Sequence, residues 1–210
     1  MANFGYLIYD CEIIRCIPPR SGERDPNYEF CEGWRDFESM GIACIGWAHS
    51  NGSEGVIVPD SPSMIELAID VLYRRCDKLV GFNSRMFDDH LLLENGVHLG
   101  DMDGEWMSID THYDLLELVR LAAYGSTDYR DCPKGHSYKL GLIGEANGFP
   151  KTGTGELAPQ MWQDGRRAEC IAYCLNDARI TRELFELALR GELIDPNTGE
   201  KLDIRPHMEG

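Results

Sequence analysis

The chain has 210 residues, of which 43% are hydrophobic and 27% are charged, a balance typical of a globular domain with a sizeable core. Its formal net charge is −16, which argues against a surface that coats nucleic acid by neutralising phosphates. No apolar run is long enough to span a bilayer and the amino terminus lacks a basic-then-apolar signal, so we expect a cytoplasmic protein without a membrane partner.

The eight cysteines are scattered and form no Cys-x-x-Cys pair. Reduced thiols are therefore expected. Cys132 and His136 flank Pro-Lys-Gly with a spacing that could begin a zinc site, but no second pair of ligands is evident in the sequence. Zinc is accordingly not favoured.

The first half of the chain alternates strand-like and helix-like patterns. The predicted elements are a buried strand at 4–14, an irregular segment at 15–38, a hairpin of strands at 40–48 and 55–59, a helix from 61, a strand at 78–82 and a helix at 85–95. The hairpin follows from the turn residues 49–53, which separate two short apolar runs.

The second half is mainly helical. Its predicted elements are a strand at 107–110, a helix around 115–122, an irregular segment at 124–137, a helix at 140–146, a glycine-rich loop at 151–156 and a long helix at 166–190. This order indicates an α/β fold with a mixed β-sheet flanked by helices. We expect a single domain over 1–210, with 191–210 as a small C-terminal hairpin.

Asp10 and Glu12 are one residue apart in the most apolar predicted strand. Side chains alternate along a strand, so both carboxylates project from the same face. Two carboxylates side by side in a core repel each other and are costly to desolvate, and a cation between them would remove that cost. The alternative is that the strand ends early and leaves both groups in water.

A second acidic pair, Asp88-Asp89, follows the strand at 78–82. Asn83 is expected to cap the next helix, and carboxylates in its opening turns are favoured by the helix dipole. That placement alone would explain both residues structurally.

On the long helix, Tyr173 and Asp177 precede Ile180 and Leu184 on one face, in a 4-3-4 spacing. Because the later residues of this face are apolar, Asp177 is expected to point toward the core, where it needs a partner. Arg179 and Arg182 are poorly spaced to provide one on the same helix.

The motifs Asp10-x-Glu12, Asn83-x-x-x-Phe87-Asp88 and Tyr173-x-x-x-Asp177 resemble, in this order, the three exonuclease motifs of the DEDD superfamily of 3′–5′ exonucleases, in its DEDDy branch. The stretch 31–43 is also similar to stand-alone exonucleases of phages and prophages. The resemblance implies a ribonuclease H-like fold and two divalent cations, Mg²⁺ or Mn²⁺. Carboxylate ligands without His or Cys suit those ions.

The resemblance also implies roles. Asp10 would bridge both metals, Glu12 and Asp177 would hold the metal that binds the attacking water, and Asp88 would serve the second metal. Tyr173 would orient the water, whereas Asn83 and Phe87 would position the terminal nucleotide. The motif spacing favours Asp88 over Asp89, and Asp110 and Asp114 are further, weaker candidates.

The substrate implied is the 3′ end of a single strand, with DNA favoured over RNA, in a bacterial or phage-infected cell. Proofreading would need a polymerase or another replication partner in trans. In the segment 124–139, Tyr124, Tyr129 and Tyr138 are interleaved with Arg130, Lys134 and Lys139, a composition that can bind a strand by stacking and charge. Arg130 and Lys134 are therefore predicted substrate contacts.

Three other functions compete with this interpretation. An inactive exonuclease-fold module would bind a polymerase or another replication partner without cleaving. A phosphatase could use Asp10 as a nucleophile but leaves Tyr173 and Asp177 unexplained. The carboxylates could also bind Ca²⁺ structurally, although no EF-hand spacing is present.

Overall fold

The structure is a computed structural model that describes residues 5–99, 112–153 and 155–208. Its strands are β1 (Tyr6–Ile13), β2 (Ile42–His49), β3 (Glu54–Ile57), β4 (Lys78–Gly81) and β5 (His112–Asp114). Its α-helices are α1 (Phe37–Met40), α2 (Pro62–Ile69), α3 (Asp88–Glu94), α4 (Leu115–Tyr124), α5 (Leu140–Ala146), α6 (Ala158–Gln163) and α7 (Arg167–Arg190).

The five strands form one mixed sheet in the order β3-β2-β1-β4-β5. Strand β2 is antiparallel to both β1 and β3, whereas β4 is parallel to both β1 and β5. The hairpin predicted at 40–59 is therefore present as β2 and β3. The observed sheet agrees with the predicted α/β fold and places β1 at its centre, covered on both faces.

Strand β1 divides two apolar cores because its side chains alternate. Tyr6 and Ile8 pack with α4, α5 and α7 on one face of the sheet. Leu7 and Tyr9 pack with α2 and α3 on the other face. By the same alternation, Asp10 and Glu12 continue the face that α7 covers.

Helix α7 lies unusually close to the sheet at Gly46 of β2. A Cβ atom on Gly46 would lie 2.9 Å from the Cys174 carbonyl oxygen, closer than real Cβ atoms come to such an oxygen. The absence of that atom lets the Gly46 amide donate to Cys174 Sγ (3.1 Å), while the Cys174 thiol donates to the Asp10 carbonyl (3.3 Å). Asp177, one helical turn after Cys174, is thereby held over β1.

Most predicted elements are present within a few residues of their expected bounds. Helix α6 was not expected, because six residues offer too few apolar repeats to show a helical period. The predicted strand at 107–110 lies outside the described residues, and β5 begins at His112. All eight cysteines have free thiols. In the described ranges, no helix is long and apolar enough to cross a membrane.

Candidate active site

Three carboxylates from two distant parts of the chain meet above the centre of the sheet. Asp10 and Glu12 come from β1 and Asp177 from α7, and one oxygen of each lies within 4.8 Å of the others. Glu12 and Asp177 are buried, whereas Asp10 is partly exposed. The structure thus brings together three of the four carboxylates that the sequence predicts as metal ligands.

This cluster is electrostatically unfavourable without a cation. Burial and the neighbouring Asp177 and Glu12 carboxylates raise the pKa of Asp10 well above its usual value, and burial also raises the pKa values of Glu12 and Asp177. Among the described residues, the buried atoms Asp10 Oδ2 and Asp177 Oδ1 have no hydrogen-bond partner. Oxygen donors without partners, at this spacing, fit hard divalent cations such as Mg²⁺ or Mn²⁺.

Lys151 supplies the positive charge that the cluster has in this structure. Its Nζ atom lies 2.6 Å from Asp177 Oδ2 and 5.0 Å from the centre of the Tyr173 ring. The ammonium lowers the pKa values of Asp177, Asp10 and Glu12, against the larger effect of burial. Sequence reasoning missed Lys151 because it lies in an irregular loop. The only signal was a lone cation at the start of the glycine-rich segment 151–156.

Tyr173 lies one turn before Asp177 on α7, as predicted, and its ring is buried. In the described part of the chain, no group lies at the distance and angle of a hydrogen bond to its hydroxyl. Asp177 is nevertheless close enough to affect the pKa of that hydroxyl. Burial and the Asp177 and Glu12 carboxylates raise the pKa of Tyr173. The hydroxyl therefore stays protonated at neutral pH and cannot act as a general base.

The glycine-rich loop packs directly on the Tyr173 ring. A Cβ atom on Gly153 would approach the ring to 3.2 Å, and one on Gly155 would lie 3.7 Å from the hydroxyl. The approach at Gly153 is tighter than an ordinary contact, so a larger residue there would have to displace the ring, whereas the approach at Gly155 is an ordinary van der Waals contact. The same loop carries Lys151, so its packing on Tyr173 also fixes the position of the ammonium.

Asp88 lies at the edge of the cluster and is held by the backbone of β1. Its Oδ1 atom accepts a hydrogen bond from the Cys11 amide (3.0 Å), between Asp10 and Glu12 in the sequence. That amide is free because the β4 pairing with β1 ends at Ile8. Burial and the adjacent Asp89 raise the pKa of Asp88 to about 8.

Asp89 points to the opposite face of the sheet. It accepts a hydrogen bond from the Tyr9 hydroxyl, and its Oδ2 atom lies 3.4 Å from His112 Nδ1. Burial lowers the pKa of His112 to about 4 and raises that of Asp89 to about 7. The imidazole is therefore uncharged at neutral pH, so the contact is not an ion pair despite its spacing. Sequence reasoning missed this network because Tyr9 and His112 stand in apolar or short segments.

Asn83 does not cap a helix with its side chain, which corrects the sequence expectation. Its backbone is left-handed (φ 62°), and its amide donates to Asp114 Oδ1 (2.9 Å). Asp114 also accepts from the amides of Arg85 (3.2 Å) and Leu116 (2.9 Å). Asp114 thus ties the turn after β4 to the start of α4, which is a structural role. Asp110 lies outside the described residues.

Phe87 precedes Asp88 and is only partly buried. Its ring centre lies 5.4 Å from that of Trp34 and 5.7 Å from that of Phe37. Phe87 therefore connects the site to the irregular segment 15–38. Its predicted contact with a terminal nucleotide remains a prediction.

The segment 124–139 offers fewer strand contacts than its composition suggested. Tyr138 is buried and donates to Asp195 Oδ2 (3.2 Å), and the Tyr124 ring packs against it at 5.9 Å. Arg130 Nε is paired with Asp128 Oδ2 (2.9 Å), while Tyr129 and Lys134 are exposed. Binding of a substrate by Arg130 and Lys134 stays a prediction.

Among the residues that the structure describes, Cys132 and His136 do not belong to a cluster of metal ligands. The Cys132 thiol donates to the His136 backbone carbonyl at 3.6 Å. In the residues described, the only group of three or more ligand side chains close enough to hold a metal is that of Asp10, Glu12 and Asp177.

The chain is similar in structure to the family B DNA polymerase from the hyperthermophilic archaeon Pyrobaculum calidifontis. The TM-score is 0.63 and the sequence identity 18%, over 99% of this chain and 27% of the polymerase chain. The likeness confirms the predicted ribonuclease H-like fold.

More distant likenesses are found to structures of exonuclease I. One is E. coli exonuclease I with a bound oligonucleotide, at a TM-score of 0.42 and 14% identity over 81% of this chain and 42% of that one. Another has a TM-score of 0.42 and 15% identity over 91% and 45% of the two chains. No family model and no curated protein matches the chain.

Proposed function

We propose that this protein is a metal-dependent 3′–5′ exonuclease that hydrolyses single-stranded DNA. The observation that carries the proposal is the convergence of Asp10, Glu12 and Asp177 within 4.8 Å, in the order and on the elements that the DEDDy motifs imply. A ribonuclease H-like fold supports it.

Asp10, Glu12 and Asp177 would hold two divalent cations, with Asp88 at the second position. When bound, the cations supply positive charge that activates a water and offsets charge on the scissile phosphate and the leaving 3′ oxygen. The carboxylates would fix the positions of those charges. The Cys174 thiol holds the Asp10 backbone carbonyl, and the Cys11 amide holds the Asp88 carboxylate.

Tyr173 would orient the attacking water. Its hydroxyl is protonated, buried and free of a described partner, so it can exchange a hydrogen bond with a water without taking its proton. Asn83 and Phe87 would position the terminal nucleotide, and Arg130 and Lys134 would contact the strand farther from its end.

The proposal is tested with single-stranded DNA labelled at its 5′ end, in Mg²⁺, Mn²⁺ or EDTA. We expect a descending ladder of products with either metal and none in EDTA. Asp10→Ala and Asp177→Ala should each lower turnover by about a thousandfold or more, because each removes a metal ligand. Asp60→Ala removes the same charge at an exposed position and serves as the control.

Activity that persists in EDTA or starts from the 5′ end contradicts the proposal. A protein that binds the strand and never cleaves it would instead support the alternative, a binding module for a replication partner. The same assay with labelled RNA decides the preference between the two nucleic acids.

A further inference from the structure

The turn at residues 33–36 presents an exposed tryptophan that packs on Phe87, the residue before Asp88. The Asp36 amide donates to the Gly33 carbonyl (3.1 Å), which places Trp34 and Arg35 at the tip of a tight turn. Asp36 Oδ2 accepts from the Glu32 amide (2.7 Å) and from the Ser39 hydroxyl, so both sides of the turn are anchored. The turn is built to hold its tip in place.

Trp34 is 59% exposed, although tryptophan is usually well buried. One part of its ring packs on Phe87, with ring centres 5.4 Å apart, and the rest remains open to solvent. Met86, next to Phe87 in the chain, is 57% exposed. An anchored aromatic face that stays exposed indicates a binding surface rather than a core contact.

The position of this surface indicates its ligand. Phe87 directly precedes Asp88, and Asp88 is bonded to the backbone between Asp10 and Glu12. A strand whose terminal phosphodiester reached the carboxylates would bring its last bases to this edge. Arg35 is exposed and forms no ion pair with any described residue, so it can meet a neighbouring phosphate.

We propose that Trp34 stacks on a base at the 3′ end of the bound strand and thereby positions the terminal phosphodiester at the carboxylates. This inference rests on the proposed function for the identity of the strand. Stacking on an aromatic face is tolerant of sequence because every base has a π face, so it suits an enzyme that removes nucleotides one after another.

The test measures binding without cleavage, by the fluorescence anisotropy of a 5′-labelled oligothymidylate with Ca²⁺ in place of Mg²⁺. Trp34→Ala should raise the dissociation constant about tenfold, a loss of affinity within the range found for base–aromatic stacking. Trp34→Phe should restore most of the affinity. Leu67→Ala, which truncates an exposed apolar side chain on α2, should bind like the wild type.

A second strand, abasic at its two 3′-terminal nucleotides, isolates the stacking contact. Trp34→Ala should have little further effect on this strand, because the base that stacks is already missing. An equal loss on both strands, or wild-type binding by Trp34→Ala, overturns the inference.

A parallel cleavage assay separates this inference from the proposed function. If the wild type degrades DNA while Trp34→Ala keeps both its KM and its affinity, the function stands and the role of Trp34 is refuted. If the wild type does not cleave, the proposed function fails, and the binding comparison between the intact and the abasic strand still decides whether Trp34 stacks on a base. Absence of any binding by the wild type refutes the role of Trp34 as well.

Discussion

Lys151→Met tests whether the Lys151 ammonium takes the place of a metal ion in the carboxylate cluster. The substitution keeps most of the length of the side chain and removes its charge. In the metal-free protein it leaves Asp177, Asp10 and Glu12 without their cation, so the variant should be less stable in EDTA. In the presence of metal the ammonium has to leave Asp177, so the variant should bind metal more tightly.

The magnitude follows from the geometry of the pair. At 2.6 Å between Nζ and Oδ2, and with an effective dielectric constant of about 20, the attraction is about 6 kcal/mol. The Lys151 side chain is 22% exposed, and ordering it and desolvating it oppose the attraction. A net contribution of about 2 kcal/mol remains, which corresponds to about a 30-fold change in a dissociation constant.

The stability loss and the affinity gain are therefore the same free energy measured in two ways. Urea unfolding in EDTA should show the loss at mildly alkaline pH, and calorimetric titration with Mn²⁺ should show the gain. Lys201→Met removes an exposed lysine and should change neither quantity. Weaker or unchanged Mn²⁺ binding by Lys151→Met would mean that the ammonium and the metal coexist, and would refute the reasoning.

Three further predictions concern the supports of the site. In the cleavage assay with saturating Mg²⁺, Asp88→Asn should lower turnover far more than Asp89→Asn, because only the first carboxylate is bonded beside the cluster; a larger loss at Asp89 would reverse that choice. Gly46→Ala should lower the free energy of unfolding by about 1–3 kcal/mol, since its Cβ would press on the α7 backbone. Gly141→Ala, with only ordinary contacts, is the control, and equal unfolding curves for both would contradict the argument. For His112, a folded pKa of about 4 against 6.5 unfolded means that its neutral form favours folding, so its contribution is complete above pH 6.5 and is lost as the pH falls toward 4. The loss amounts to at most about 3 kcal/mol. In EDTA, the free energy of unfolding measured with urea should depend less on pH in His112→Gln than in the wild type between pH 6.5 and 4. An unchanged pH dependence would exclude this role of His112.

The carboxylates of β1 and α7 could be predicted from the sequence because their signals are local. The alternation along β1 places Asp10 and Glu12 on one face whatever the rest of the chain does. The helical period does the same for Tyr173 and Asp177, since Ile180 and Leu184 fix which face is buried.

The rest of the site could not be predicted because it depends on loops. Lys151 reaches Asp177 only because a glycine-rich loop folds over the Tyr173 ring, and no periodicity describes such a path. The expected cap at Asn83 failed for a related reason. The backbone of Asn83 is left-handed and its side chain makes no cap hydrogen bond, and Asp114, thirty-one positions later, accepts from the amides of Asn83 and Arg85 instead.

The carboxylate cluster joins residues that are far apart in the sequence. Asp10 and Glu12 lie in the first strand, whereas Asp177 lies in the last α-helix that the structure describes. Contact between such distant positions requires the chain between them to close into a loop, which costs conformational entropy. A chain still emerging from the ribosome, or one cut before α7, would therefore lack the third carboxylate. Cleavage by the proposed metal site would therefore require α7 to be packed on β1.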